Sequence, residues 1–128
     1  MRPTPPITTT WEEGRFFDLW MVVHFLSGLS GGLSNVLFGL STLGVYALGA
    51  SLLIAWELVE FARGIRETWE NRALDLVVGV AGIAVAQAAA ARLDRPWEYA
   101  AFGVSAVAFV LGTVRGWLAY RARVRLSP

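Results

Sequence analysis

The sequence predicts an all-α protein, a four-helix transmembrane bundle with both termini on the cytoplasmic side. The chain has 128 residues, of which 55% are apolar and only 16% are charged, whereas soluble domains usually carry about 25% charged residues. Its mean hydropathy is +0.52. Apolar residues form four runs, near residues 16–40, 42–61, 73–91 and 96–120, each close to the ~20 residues that a helix needs to cross a bilayer. Four such spans use most of the chain, so we expect a single domain.

Both ends of the chain are predicted to lie outside the bundle. Residues 1–15 are rich in proline and threonine and contain no apolar stretch. We therefore expect a disordered cytoplasmic arm rather than a cleavable signal peptide. Residues 121–128 carry three arginines and are expected to form a basic cytoplasmic tail that contacts lipid head groups.

Composition excludes several classes of function. The chain has no cysteine, which rules out disulfides and thiol chemistry. The net charge of +1 predicts no nucleic-acid partner. The sequence contains no P-loop, GxSxG or HExxH motif, and it identifies no cofactor.

The first run begins near Asp18, a carboxylate that suits the positive end of a helix. Glycine and serine dominate residues 27–34, and in lipid such small residues let helices approach closely. One helical face is expected to point into the bundle, with Gly32 as a further packing position. The residues on this face are His24, Gly28, Gly31 and Asn35. An alternative is a break within residues 30–35 that would divide the span into half-helices.

The second run follows a short uncharged connection, which predicts a helical hairpin. Glu57 and Glu60 lie three residues apart, so they share a helical face, and Gly49 and Leu53 lie on that face as well. Acids inside a membrane-spanning segment are costly and usually mark a function. The hairpin returns this acidic pair to the side where the first helix begins.

The third and fourth runs carry further small residues at helical spacing. Asp75 lies in the first turn of the third helix and shares a face with Gly79 and Gly82. Gly112 and Gly116 form a GxxxG pair in the fourth helix. We interpret these glycines as helix-packing positions rather than as a substrate groove.

Arginine placement predicts the orientation in the membrane. Four spans place the N-terminus, the connection at residues 63–72 and the C-terminus on one side. The arginines on that side are Arg2, Arg15, Arg63, Arg66, Arg72, Arg121, Arg123 and Arg125, with Arg115 nearby. Only Arg92 and Arg95 lie on the other side. The positive-inside rule makes the arginine-rich side cytoplasmic, so we predict a multi-pass protein of the cell (inner or plasma) membrane.

Five polar residues from three helices are predicted to lie at one depth, in the cytoplasmic third of the membrane. They are Asp18, His24, Glu57, Glu60 and Asp75. This shared depth is the strongest functional signal in the sequence, and these residues are the candidate ligand-binding set.

Four interpretations of this set remain open. Carboxylates with one imidazole can bind a divalent metal such as Zn²⁺ or Mn²⁺, with His24, Glu57 and Glu60 as the metal candidates. The set can also relay protons, because imidazole ordinarily titrates near neutral pH. It can bind a cationic or hydrogen-bonding head group. Finally, it can be a structural network that fixes helix register.

Motifs in three helices resemble small bacterial membrane proteins of the VanZ-like family and of the similar YjdF type. These motifs are an Asp before His-Phe in the first helix, Trp-Glu-x-x-Glu near the end of the second, and Arg followed by Asp-x-x-x-Gly-x-x-Gly in the third. The matching residues are Asp18, His24, Glu57, Glu60, Arg72, Asp75, Gly79 and Gly82. The resemblance covers about residues 16–90. It implies an envelope- or lipid-related membrane role and supplies no reaction.

Three functional hypotheses follow. The first is a non-enzymatic binding or accessory protein, VanZ-like, for a lipid-linked or head-group-bearing ligand. The second is a structural accessory subunit of a larger membrane complex. The third is a metal-dependent membrane enzyme. The expected partners are membrane lipids, other membrane subunits or a second copy of this chain.

Overall fold

The computed structural model describes residues 5–12, 14–65 and 67–126. Within these residues the chain forms five α-helices and no strand. The helices are α1 (Leu19–Leu33), α2 (Asn35–Phe38), α3 (Thr42–Ala62), α4 (Trp69–Ala90) and α5 (Arg95–Leu126). Parts of the predicted arm and tail (residues 1–4, 13 and 127–128), and with them Arg2, lie outside the described residues, as does Arg66.

Four segments are long and apolar enough to cross a membrane. They are Leu19–Phe38, which joins α1 and α2, together with Thr42–Ala62, Trp69–Ala90 and Arg95–Arg125. The prediction of an all-helical chain with four apolar spans is therefore confirmed. The helical bounds differ by a few residues from the apolar runs. Helices α4 and α5 extend beyond their runs into polar turns, whereas the first span is shorter than its run because Asp18 caps its beginning and Gly39 ends it.

Side-chain caps begin three of the helices. Asp18 accepts hydrogen bonds from the backbone N–H groups of Trp20 and Met21, and Ser41 and Thr68 cap α3 and α4 in the same way. Each cap satisfies N–H groups that have no partner within the helix. Because Thr68 caps α4, this helix begins four residues before the apolar run.

The first span is interrupted at Ser34, where α1 passes into α2. Ser34 keeps right-handed helical angles, and its backbone N–H donates to the carbonyl of Ser30. Its hydroxyl donates to the carbonyl of Gly31. The interruption is one residue long, within the range where the sequence suggested a break. Gly39 then ends α2 with φ +62°, a left-handed conformation that suits glycine.

Glycines allow α1 and α4 to pack closely. A Cβ on Gly28 would overlap the backbone carbonyl of Gly79, and a Cβ on Gly82 would overlap the carbonyl of Phe25. Gly32 lies against Ala86 in the same interface. Close backbone approach through small residues is the usual way for helices to associate in lipid. This interface makes α1 the central helix, with 44% of its span buried against 11% for α5.

The other two long helices pack on this central pair. Helix α3 packs on α4 through Leu53, Gly79 and Ile83, while α5 packs on α1, where a Cβ on Gly112 would lie 3.2 Å from a Val23 methyl group. Helices α3 and α5 do not pack extensively against each other. Their separation leaves part of α1 uncovered between them.

The N-terminal segment folds over one end of the bundle. Its composition had predicted a disordered arm. Residues 5–12 and 14–18 form a hook, in which the Thr8 N–H donates to the Phe17 carbonyl over 2.8 Å. The Arg123 guanidinium donates to the Trp11 carbonyl, and Arg15 pairs with Glu70 at 3.0 Å. The hook therefore joins the beginning of α4 to the end of α5. Helix α5 itself continues through residues 121–126, which were expected to belong to a tail.

Candidate functional site

Three of the predicted polar residues meet in the interior, one from each of α1, α3 and α4. His24 Nε2 lies 3.3 Å from Glu57 Oε1, and His24 Nδ1 lies 3.7 Å from Asp75 Oδ1. One ligand atom from each of the three residues lies within 4.8 Å of the other two. All three side chains are buried, with Asp75 fully inaccessible. We refer to His24, Glu57 and Asp75 as the triad.

The orientation of the His24 ring follows from its backbone partner. Nδ1 lies 3.0 Å from the carbonyl oxygen of Trp20, and a carbonyl oxygen can only accept, so Nδ1 carries the hydrogen. In the neutral ring Nε2 then presents a lone pair toward Glu57. Nε2 has no hydrogen-bond partner among the described residues. A lone pair and a carboxylate oxygen repel each other at this distance. A proton or a cation between Nε2 and Glu57 would remove that repulsion.

Asp18 lies outside the triad but is connected to it by Asn71. The amide Nδ2 of Asn71 donates to Asp18 Oδ2 and to Asp75 Oδ2, each over 3.3 Å. Asp18 also caps α1 and accepts from the Gly14 N–H at 3.0 Å. Its carboxylate is thus well supplied with donors, and its position is that of a helix cap rather than of a ligand-binding group.

A second group of carboxylates extends from Glu57 toward the arginine-rich end. Glu57, Glu60 and Glu67 each offer an oxygen within 4.8 Å of the others. Arg72 Nε lies 3.7 Å from both Glu57 Oε2 and Glu67 Oε2. Glu60 accepts a hydrogen bond of 2.8 Å from the indole of Trp56. Glu60 therefore neighbours the triad through Glu57 without belonging to it.

Acidic groups outnumber basic groups in this region. Among the described residues, five carboxylates lie there against the guanidinium groups of Arg63 and Arg72 and one imidazole. The carboxylates are Asp18, Glu57, Glu60, Glu67 and Asp75. Several buried atoms lack hydrogen-bond partners within the described residues, among them both oxygens of Glu57, Oε2 of Glu60 and Oδ1 of Asp75. Burying unpaired charge is costly, so the chemistry of the cluster favours binding of protons or cations.

A cavity of about 440 Å³ lies between α3 and α5, over the uncovered part of α1. Its α1 side is formed mainly by glycine and serine, and its remaining walls are mainly apolar. The residues that contribute from α3 and α5 include Leu52, Leu53, Trp56, Phe102 and Phe109. Along α1 the cavity extends from His24 to Ser34, which corresponds to about 15 Å of helix. His24 therefore belongs both to the triad and to one end of the cavity.

A second cavity, of about 10 Å³, lies closer to the arginine-rich end. Glu60 and Glu67 contribute to it, as do the rings of Trp20 and Trp117. Trp56 lines both cavities. The guanidinium of Arg63 stacks on Trp117 with a separation of 5.4 Å. This smaller cavity has room for about one water-sized particle.

The predicted glycines occupy different environments. Gly28, Gly32, Gly79 and Gly82 lie in the α1–α4 interface, and Gly112 and Gly116 face α1 and the hook. A Cβ on Gly31 would meet no atom within 4 Å, because this residue faces the large cavity.

Sequence reasoning missed two members of the cluster, Asn71 and Glu67. Both were assigned to the hydrophilic connection before the third helix. A signal for Asn71 exists, since it precedes Asp75 by four residues and so shares its helical face. Recognising Thr68 as an N-cap would have extended the helix far enough to use that signal. Glu67 precedes the helix, and no periodic pattern identifies it.

No protein-family model, no curated protein and no solved structure matches this chain. The fold and the site define a class nonetheless: a small all-α protein with four helices of membrane-spanning length, a buried acid–histidine cluster and an adjoining apolar cavity.

Proposed function

We propose that this protein is a non-enzymatic, multi-pass protein of the cell membrane that binds a lipid-like ligand. The apolar chain of the ligand occupies the large cavity, and its polar head group lies at the His24 end, toward the acidic cluster. This proposal agrees with the lipid-related membrane role that the VanZ-like resemblance implies. The observation that carries it is the single cavity that is apolar along most of its length and ends at a buried polar cluster.

The surface of the helices supports a membrane environment. Large apolar side chains on α3 and α5 are exposed, among them Leu43, Leu52, Val104 and Val107. In water such surface would be unfavourable, whereas acyl chains solvate it.

The charges at the two ends support an orientation with both termini in the cytoplasm. Seven described arginines lie at or near the end that carries the hook: Arg15, Arg63, Arg72, Arg115, Arg121, Arg123 and Arg125. Arg92 and Arg95 lie at the opposite end.

 Seven described arginines therefore lie at the hook end, against two at the other end. That imbalance supports a cytoplasmic hook end under the positive-inside rule.

The dimensions of the cavity suit one chain of a lipid or isoprenoid. Its volume of about 440 Å³ lies within the range of about 300–1,000 Å³ that is typical of small-molecule sites. Glycine and serine on α1 leave room for a chain to lie along that helix. The acids near His24 favour a head group that donates hydrogen bonds, such as a hydroxyl or an amine.

A pair of glycine substitutions tests this proposal. Gly31 lines the cavity and Gly103 does not, and at either position an added Cβ meets no atom within 4 Å. We expect Gly31→Leu to fill the cavity and to lower the bound lipid at least about tenfold, since a well-filled site excludes its ligand. Gly103→Leu is the matched control and should retain wild-type lipid.

The measurement is native mass spectrometry of gently purified protein, followed by lipid extraction and identification. Equal amounts of bound lipid in wild type and Gly31→Leu would contradict the proposal. The absence of any bound lipid from the wild-type protein would contradict it as well.

The second candidate function is an accessory subunit of a larger membrane complex. The observation that favours it is the low burial of α5, of whose span only 11% is buried. The same mass spectra test this candidate. Other membrane proteins in fixed stoichiometry would support it, and their loss in Gly103→Leu would assign the docking surface to α5.

A further inference from the structure

We propose that the triad of His24, Glu57 and Asp75 binds one divalent metal ion of the Zn²⁺ or Mn²⁺ class. This site lies between α1, α3 and α4, whereas the ligand cavity lies between α1, α3 and α5. The two sites share His24, but all three proposed metal ligands are side chains of this chain, so the metal site does not require the lipid-like ligand.

The backbone holds the imidazole in the orientation that a metal site needs. Nδ1 of His24 donates to the Trp20 carbonyl at 3.0 Å, which leaves Nε2 as the free donor atom. Metal-binding histidines almost always fix their second nitrogen by such a hydrogen bond to a carbonyl or carboxylate. The His24 side chain is only 4% exposed, and its Nε2 points to Glu57 without a hydrogen-bond partner among the described residues.

The distances between donor atoms agree with a shared ion. Nε2 of His24 and Oε1 of Glu57 are 3.3 Å apart, which subtends about 105° at an ion that is 2.0–2.1 Å from each. That angle is close to tetrahedral. Two ligands of a tetrahedral ion lie about 3.4 Å apart, and the three donor atoms lie within 4.8 Å of one another, so binding requires them to close by up to about 1.4 Å.

The neighbours of the triad are arranged as supporting groups. Asn71 donates to Oδ2 of Asp75 at 3.3 Å, which leaves Oδ1 without a hydrogen bond. Oδ1 lies 3.7 Å from Nδ1 of His24, so it has to turn toward the Nε2 side of the ring to reach the ion. Arg72 lies near Oε2 of Glu57, at 3.7 Å, and leaves Oε1 for the ion. A hydrogen bond to a ligating carboxylate, such as the one from Asn71 to Asp75, orients it and typically matters about 10- to 100-fold in affinity, whereas Arg72 acts on Glu57 through its charge.

The excess of buried carboxylates over the one neighbouring guanidinium, that of Arg72, favours a positive partner for the triad. Two buried carboxylates and a neutral imidazole form the triad, and a divalent ion would balance both negative charges. The competing arrangement is a proton shared between His24 and Glu57, which needs no ion. The mixture of one nitrogen and two oxygen donors suits Zn²⁺ and Mn²⁺ better than Cu⁺, which prefers sulfur.

The test is metal content after stripping with a chelator and reloading. The full-length protein in mild detergent is treated with EDTA, incubated with Zn²⁺ or Mn²⁺, passed through a desalting column and analysed by inductively coupled plasma mass spectrometry. We expect one ion per chain in the wild type. His24→Gln and Glu57→Gln should each bind at least about tenfold more weakly, as loss of a ligand requires. Glu98→Gln, in the first turn of α5, is the matched control.

Two further measurements use only the wild-type protein, so they remain valid if the variants misfold. Co²⁺ bound at the triad should give the visible absorption of a tetrahedral nitrogen–oxygen site, and Zn²⁺ should raise the Tm in a saturable way. A wild type that binds no ion and whose Tm responds to neither metal nor EDTA would overturn the proposal and favour the shared proton. Metal bound equally by wild type and Glu57→Gln would overturn it too.

The test also separates this proposal from the lipid-like ligand. Gly31→Leu alters the cavity and leaves the triad unchanged, so it should lose lipid and retain the metal. Failure to bind metal would leave the lipid result intact.

Discussion

Asn71 connects two buried carboxylates that come from different helices. Its amide donates to Asp18 at the beginning of α1 and to Asp75 in α4. The side chain is fully buried. Hydrogen bonds to charged groups are worth about 1.5–3 kcal/mol, so this one amide contributes substantially to joining α1 and α4.

We predict that Asn71→Ala lowers the free energy of unfolding by about 2–3 kcal/mol, since both carboxylates then lose a donor inside the protein. Gln87→Ala is the matched control, because Gln87 donates to a single neutral group, the Gly32 carbonyl. Gln87→Ala should lower the free energy of unfolding by about 0.5–1.5 kcal/mol. Denaturant unfolding in detergent measures both, and equal costs for the two variants would argue against the bridging role.

At the level of single residues, the sequence could predict the triad but not its supports. His24, Glu57 and Asp75 stand out because each interrupts an apolar run, and the hairpin topology places them at one depth. The contacts of Asn71 and Glu67 depend on where α4 begins and on how the connection folds. Neither property follows from hydropathy.

At the level of helices, the α1–α4 interface depends on glycine. Gly28 and Gly79 allow the two backbones to touch, and Gly82 lies against Phe25. Gly31 is on the same helix as Gly28 but faces the cavity. Gly28 and Gly31 are therefore the same residue type on the same helix, but Gly28 is packed against α4 and Gly31 is not.

This difference predicts opposite effects of the same substitution. Gly28→Ala should destabilise the protein by about 1–3 kcal/mol, the range for overpacked interiors, because the new methyl group overlaps the Gly79 carbonyl. Gly31→Ala should be neutral or stabilising by up to about 1 kcal/mol, since alanine favours helix. Thermal unfolding in detergent measures both variants. A similar loss of stability in both would contradict the described packing.

Helical periodicity predicted which faces carry glycine, but not how the helices pair. The face with Gly28 and Gly31 was expected to point into the bundle as a whole. In the structure α4 covers Gly28, whereas the separation of α3 from α5 leaves Gly31 facing a cavity. That separation depends on which helices contact α1, and a single sequence does not specify it.

For the whole molecule, four apolar helices follow directly from composition and run length. The N-terminal hook does not, because its order depends on contacts with distant residues such as Arg123 and Glu70. The hook and the ends of α3 and α5 bring most of the arginines to one end. The acidic cluster lies toward that same end, so the proposed orientation would place the site in the cytoplasmic part of the membrane.

Membrane insertion with the hook end in the cytoplasm is the central claim about this protein, and it can be tested directly. The chain has no native cysteine, so single cysteines can be labelled selectively in intact cells with a membrane-impermeant maleimide. Suitable exposed positions are Thr10 in the hook, Leu93 between α4 and α5, and Val107 within α5.

We predict that Leu93→Cys is labelled in intact cells and that Thr10→Cys is labelled only after permeabilisation. Val107→Cys should resist labelling in both conditions, because lipid covers the middle of α5. Labelling of Val107→Cys in permeabilised cells as efficient as that of Thr10→Cys would contradict membrane insertion. Labelling of Thr10→Cys in intact cells, with Leu93→Cys protected, would contradict the orientation.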